Sequence, residues 1–400
     1  MATTPRRLST PTSTEIGPAM TSSSTTRVLL APDKFKGTLT AAQVAGHVAA
    51  GIATVRPEVE VVVLPVSDGG DGLLDAFEGA GFDRVPLQAS GPTGVPGMTS
   101  YVRRGAEAVV EMAEVAGLLR LPGGRPAPGT ATSRGLGEVV AAALDAGCSR
   151  ILVGIGGSAS SDGGAGMAAA LGARLLDAHG DEVGDGGAAL TQIAAVDLAG
   201  LHPALSTATV TVACDVDNPL TGPLGAAAVY GPQKGADPEL VAVLDQALAH
   251  WADVVAAGTG RDLRDVPGAG AAGGVGFVAI ALLGARLRPG AEVVAELTGL
   301  EQAVAAADLV VTGEGSLDAQ TLHGKAPMAV AAAAGRAGVP TVAVAGRCLL
   351  SDDELAGAGF AAAYALTAEA TYADEPFAAP GPLLERIGAR IAERHLGDRS

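Results

Sequence analysis

Of the 26 basic residues in this 400-residue chain only four are lysines, Lys34, Lys36, Lys234 and Lys325; the rest are arginines. A lysine ammonium is a compact point charge on a flexible stem, whereas arginine presents a planar fork. All four lysines fall in glycine-containing loops: APDKFKG (31–37), GPQKGA (231–236) and LHGKAP (322–327). Carboxylates and further glycines recur in the same kind of loop. Asp33 lies in the first; Asp68 leads Gly69, Gly70, Asp71 and Gly72; Gly156, Gly157 and Ser158 are followed by Asp162. Asp215 and Asn218 stand in ACDVDNP, and Glu314 and Asp318 precede His323 and Lys325 in TGEGSLDAQTLHGKAP. Asp and Gly in one loop are ordinary turn chemistry. Repeated with lysines, they suit an anion: glycines admit backbone N–H groups close to it, helix N-termini favour it, and carboxylates hold the Mg²⁺ that bridges to phosphates.

The elements that must position these loops alternate. RVLLA (27–31), VEVVVLPV (59–66), ILVGIG (151–156), DLVVTG (308–313) and TVAVAG (341–346) read as buried strands. Helical segments lie between them, one opened by Thr40 with Gln43 at capping-box spacing. AGMAAALGARLL is expected as one continuous helix. Alternating βα units with unbroken apolar strands predict parallel sheets covered on both faces, and ligands in such sheets bind beyond the strand carboxyl ends. From about 85 to 130 the texture changes, and TSYVRRGAEAVVEMA predicts antiparallel strands of a second domain. Residues 1–26, rich in Ser, Thr and Pro, are expected to be a disordered tail, with Met20 just ahead of the first strand.

Composition excludes several classes. A formal net charge of −17 and no basic run argue against nucleic acid as a partner. Cys148, Cys214 and Cys348 form no C-x-x-C pair and predict a reducing compartment. The uncharged stretch 267–285 reads as a glycine-rich loop entering a buried helix, so no membrane span is expected; with no signal-peptide pattern, the location expected is cytoplasmic. GAGAAG (268–273) satisfies G-x-G-x-x-G, but RDLRDVP before it is no strand, which argues against a dehydrogenase. Gly324-Lys325 is followed by Ala326, so there is no Walker A loop, and neither G-x-S-x-G nor a metal-spaced histidine pair occurs.

Nine segments in order, APDKFKGTLTA, PVSDGGDG, VEMAEVAGL, TSRGLGE, GIGGSASSDGGAGM, ACDVDNPLTGP, YGPQKGA, PGAGAAGG and TGEGSLDAQTLHGKAP, resemble the bacterial glycerate kinase family from about Arg27 to Arg347. Ser160-Ser161 stands where a Thr-Asn pair is more usual in that family. The resemblance implies an α/β fold of two domains: a Rossmann-like, doubly wound parallel sheet built from 27–88 and 290–400, and a mixed α/β domain, 89–289, inserted into it. It also implies ATP-dependent phosphorylation of D-glycerate with Mg²⁺, giving 2-phosphoglycerate in preference to 3-phosphoglycerate. On this reading Lys36, Lys234 and Lys325 meet phosphate or the substrate carboxylate, and Asp68 or Asp162 is the general base. Glu314 and Asp318 hold the metal, and Arg134 clamps the glycerate carboxylate. Asp33, Gly156, Gly157, Ser158, Asp215, Asn218 and His323 are expected to line the substrate and nucleotide site. A kinase of another small hydroxy acid and a non-catalytic sugar-acid or nucleotide sensor are the alternatives. For assembly, a homodimer is the candidate.

Overall fold

A computed structural model of the chain describes residues 25–35, 37–67, 69–70, 72–372 and 375–397. Residues 1–24 of the expected tail, Lys36 and Asp68 lie outside them. Thirteen strands occur among the described residues: β1 (Arg27–Pro32), β2 (Glu60–Val63), β3 (Asp83–Ser90), β4 (Pro96–Arg104), β5 (Glu107–Glu111), β6 (Arg150–Gly154) and β7 (Arg174–Leu176) come first. They are followed by β8 (Ala195–Asp197), β9 (Thr209–Ala213), β10 (Arg286–Arg288), β11 (Leu309–Leu317), β12 (Thr341–Cys348) and β13 (Ala362–Ala365).

One sheet has the order β13-β12-β11-β1-β2 and is parallel throughout. Its strands are apolar on both faces because both are covered. Val28 and Leu30 pack with the helices Ala41–Val55 and Pro380–His395, while Leu29 and Ala31 pack with the helix Ala326–Ala337. Thr40 caps Ala41–Val55 as its spacing predicts: its hydroxyl accepts from the Gln43 N–H at 3.2 Å, and Gln43 accepts from the Thr40 N–H at 2.9 Å. The order reverses between β1 and β11, which makes that gap the topological switch point.

The second sheet, β10-β9-β6-β5-β4-β3, is parallel from β10 to β5 and antiparallel from β5 to β3. The antiparallel segment expected near 99–113 is therefore present as β4 and β5. The sequence boundary at 88 falls inside β3, all of which pairs with β4. Among the described residues one helix, Pro238–Thr259, is long and apolar enough to cross a membrane, but its Leu248, Trp251 and Ala252 are wholly buried in the core of this sheet. The glycine-rich run before 285 enters a buried helix, Ala271–Leu283, as expected. One expectation fails: the helix from Ala165 stops at Ala170, and Arg174–Leu176 is a strand. Gly172 has φ +102°, and a Cβ there would lie 2.0 Å from the Gly200 carbonyl oxygen. That left-handed turn is open to glycine and ends the helix.

Candidate active site

The switch point carries the first cluster. Asp33, directly after β1, donates its N–H to the Gly313 carbonyl at 2.7 Å, and its carboxylate accepts from the Lys34 N–H at 2.7 Å. Glu314 is the next residue of β11. One of its oxygens accepts from the Thr321 hydroxyl at 2.6 Å and the other meets the Lys325 ammonium at 3.3 Å. Lys325 is the N-cap residue of Ala326–Ala337 and keeps 31% of its side chain exposed. Asp318 accepts from the Ser316 hydroxyl at 3.1 Å and the Gln320 N–H at 2.9 Å. Slight burial acts against its ionisation, but those two donors and the nearby Lys325 charge outweigh it and hold the carboxyl below its ordinary value. His323 is exposed on the turn Thr321–His323 between these groups.

The glycine loop after β2 brings the second sheet to the same place. A Cβ on Gly156 would sit 2.8 Å from the Gly70 Cα, and one on Gly69 would sit 2.9 Å from the Ala213 Cβ. The backbone at 69–70 thus lies against the carboxyl ends of β6 and β9, which only residues without side chains permit. Gly157 accepts the Leu118 N–H at 2.9 Å, and Ser158 forms an isolated bridge with Gly117. Asp215 accepts from the Gly290 N–H at 2.9 Å at the end of β9.

Sequence reasoning did not single out Glu111, the last residue of β5. It is 2% exposed and accepts from the Gly72 N–H at 2.7 Å and the Leu74 N–H at 3.0 Å. The signal available was an acidic residue closing the apolar strand EAVVE, with nothing in sequence to indicate what it reaches.

Four expected site residues are engaged elsewhere. Asp162 is 0% exposed and accepts from the Ser133 N–H at 2.7 Å, the Ser133 hydroxyl at 2.8 Å, and the N–H groups of Gly164 and Gly166 at 3.2 Å. A general base must reach the substrate proton, and this carboxylate faces into a closed knot. Burial pushes its proton affinity up, against those donors. Lys234, 2% exposed, donates to the Ser160 carbonyl at 2.5 Å; burial pulls it down to about 7, against the Asp162 charge. Arg134 forks onto Asp185 at 2.6 and 2.8 Å, which occupies the two-point grip expected for glycerate. Asn218 donates to the Leu224 carbonyl at 2.8 Å and accepts from the Tyr230 hydroxyl at 2.6 Å, so its amide holds its own loop.

Among the described residues no group of three or more His, Cys, Asp or Glu side chains is placed to hold a metal ion. Mg²⁺ commonly takes one or two carboxylates and completes its shell with water and phosphate oxygens. Asp318, half-buried and held ionised, fits that demand; Glu314 is already committed to Thr321 and Lys325.

An open parallel sheet, with glycine loops, carboxylates and lysines gathered at its switch point, defines an α/β enzyme that handles a small anionic substrate. The sequence pattern of the Glycerate kinase family matches residues 28–396, and the chain belongs to that family. It is 43% identical over 369 residues to the glycerate kinase of Bacillus subtilis (strain 168), covering 92% of this chain and 97% of the relative. It is 42% identical over 331 residues to the glycerate 2-kinase of Escherichia coli (strain K12), covering 82% of this chain and 86% of the relative. A crystal structure from Salmonella typhimurium LT2, assigned as a glycerate kinase 2, superposes with a TM-score of 0.82 at 39% identity, covering 92% of this chain and 98% of that one. The protein is accordingly a transferase, a kinase with an alcohol group as acceptor.

Proposed function

We propose that the enzyme transfers the γ-phosphoryl group of ATP to the 2-hydroxyl of D-glycerate, with Mg²⁺ on the phosphates. The observation that carries this reading is the convergence of Asp33, Glu314, Lys325 and the glycines Gly69, Gly70 and Gly72 at the switch point. Phosphoryl transfer asks a protein mainly for positioning and charge stabilisation, and this cluster offers both. Lys325 keeps 31% of its side chain exposed and, among the described residues, is paired with Glu314, so it can turn to a phosphate oxygen. Gly72, beside Lys34, leaves no side chain between that lysine and a phosphate. Bound Mg²⁺ would neutralise charge on the transferring group, and Asp318 is the carboxylate we assign to it.

Of the two carboxylates considered for the base, the closed surroundings of Asp162 favour Asp68. With Arg134 held by Asp185, we assign the glycerate carboxylate to Lys36. We keep the discontinuous division of the chain into 27–88 with 290–400 around an inserted 89–289, moving its first boundary ahead of β3. A cytoplasmic location and a homodimer belong to the same proposal.

Glycerate-dependent ADP release, measured against a panel of small hydroxy acids, tests the substrate. D-glycerate is expected to exceed every other acid in kcat/KM by at least about tenfold. A different preferred acid would keep the kinase and discard the substrate.

A further inference from the structure

We propose that Glu111 is a positioning residue for phosphoryl transfer: a carboxylate of the six-stranded sheet that fixes the backbone at Gly72 and Leu74, beside Lys34. The inference rests on the kinase reading above.

The two oxygens of Glu111 take separate backbone donors, Gly72 and Leu74, from a segment 37 to 39 residues earlier in the chain. Gly72 has φ +85° and precedes the helix Leu73–Gly79. It has no side chain with which to anchor itself, so the path of the loop is set from outside by β5. Lys34 lies beside the same backbone: a Cβ on Gly72 would be 3.6 Å from its Cδ and 3.8 Å from its Nζ. Lys34 follows β1 at the switch point, Gly72 ends the loop after β2, and Glu111 ends β5 in the other sheet. Glu111 therefore ties the six-stranded sheet to backbone that lies beside Lys34 at the switch point of the other.

Burial, first, pushes Glu111 up to about 7; the N–H groups of Leu74 and Gly72 oppose it, Glu114 on the helix Ala113–Ala116 adds to the rise, and Lys34 reduces it. Asp68 and Asp71 of the same loop lie outside the described residues. A protonated Glu111 accepts poorly at one oxygen and no longer attracts Lys34, so the competent state is the ionised one. Activity that depends on it rises as pH rises through about 7.

The test is kcat and KM for ATP and D-glycerate from about pH 5.5 to about 9 in the wild type, Glu111→Gln and Glu111→Asp. Gln keeps the shape but must turn an amide donor toward one of the two N–H groups. Glu111→Gln is expected to lose about 10- to 100-fold in kcat with KM for glycerate within about twofold and a modestly lower Tm, and to lack the acidic limb. Glu111→Asp is expected to restore a limb with part of the rate. A Glu111→Gln enzyme within about twofold of wild-type kcat, with a superimposable pH profile, overturns the proposal. Should Glu111→Gln fail to fold, amide exchange in the wild type decides: protection at Gly72 and Leu74, corrected for intrinsic rates, is expected to fall below about pH 7, and protection independent of pH overturns it. No phosphoglycerate from the wild type would defeat the kinase reading and the catalytic role built on it; the same two amides would still decide whether Glu111 clamps the loop.

Discussion

Lys234 and Lys325 occupy similar sequence settings, each in a loop with glycine and each near a carboxylate, yet the fold treats them in opposite ways. Lys234 is sealed beneath the six-stranded sheet's loops, its ammonium on the Ser160 carbonyl and within the field of Asp162. Lys325 stands at the mouth of the five-stranded sheet, paired with Glu314 and partly in solvent. Around Lys234 the donors of Ser133, Gly164 and Gly166 close on Asp162. Around Lys325 the groups are arranged along a switch point where a ligand can enter. A loop with Asp, Gly and Lys is thus two things in one molecule: a knot that holds backbone segments together, and a charged rim. What separates them is burial, which spacing along the chain does not encode.

The comparison breaks first at Asp162. Asp162→Ala leaves four close donors in the core without their acceptor, and uncompensated buried polar groups of this kind cost about 3–5 kcal/mol. Urea denaturation followed by tryptophan fluorescence at Trp251, which donates to the Gly163 carbonyl, is expected to show the larger sheet unfolding at much lower urea. A stable Asp162→Ala protein that has lost only turnover would return Asp162 to the chemistry.

Next is Lys325→Met. Removing a charge that stabilises the transferring group is expected to lower kcat by about 10²- to 10³-fold, with Tm nearly unchanged. Near-normal turnover would remove Lys325 from the site. Asp318→Asn should raise the Mg²⁺ concentration needed for half-maximal rate by about tenfold while leaving stability alone, and an unchanged Mg²⁺ requirement would move the metal elsewhere.

A smaller effect reads the knot through pH. The folded Lys234 amine loses its proton near 7, whereas an unfolded one holds it to its ordinary 10.5. Between those values the unfolded state binds more protons, so stability rises with pH across that window. Lys234→Met is expected to flatten that rise in denaturation curves; an identical slope would mean the amine stays charged in the fold. The smallest effect is expected at Arg134→Lys, where the Asp185 pair is only partly buried: a KM for glycerate within about twofold of wild type, and stability within about 1 kcal/mol. A KM raised by more than about tenfold would restore Arg134 as the carboxylate clamp.

The two regions also differ in how far they could be read in advance. The strand–loop–helix rhythm, the antiparallel strands near 99–113 and the Thr40–Gln43 cap are local patterns, and the structure has them. Glu314 and Lys325 lie only 11 residues apart in one polar sequence segment, and are legible there as a group. Arg134 and Asp185 are 51 residues apart, and Glu111 is 39 residues from Gly72. Such contacts depend on which strand ends meet, and neither composition nor periodicity carries that. The short helix Ala165–Ala170 was misread for a related reason: apolar periodicity continued through Gly172, but the close approach of Gly200 turned the chain there.

The most direct test of the central claim is ³¹P NMR of the purified full chain with ATP, Mg²⁺ and D-glycerate. The account predicts a new phosphomonoester signal that appears as ATP converts to ADP, split by the single proton on C2 because the phosphate sits on the 2-hydroxyl. Splitting by the two protons of C3 would contradict the position of transfer, and no new signal from folded protein would contradict the substrate itself.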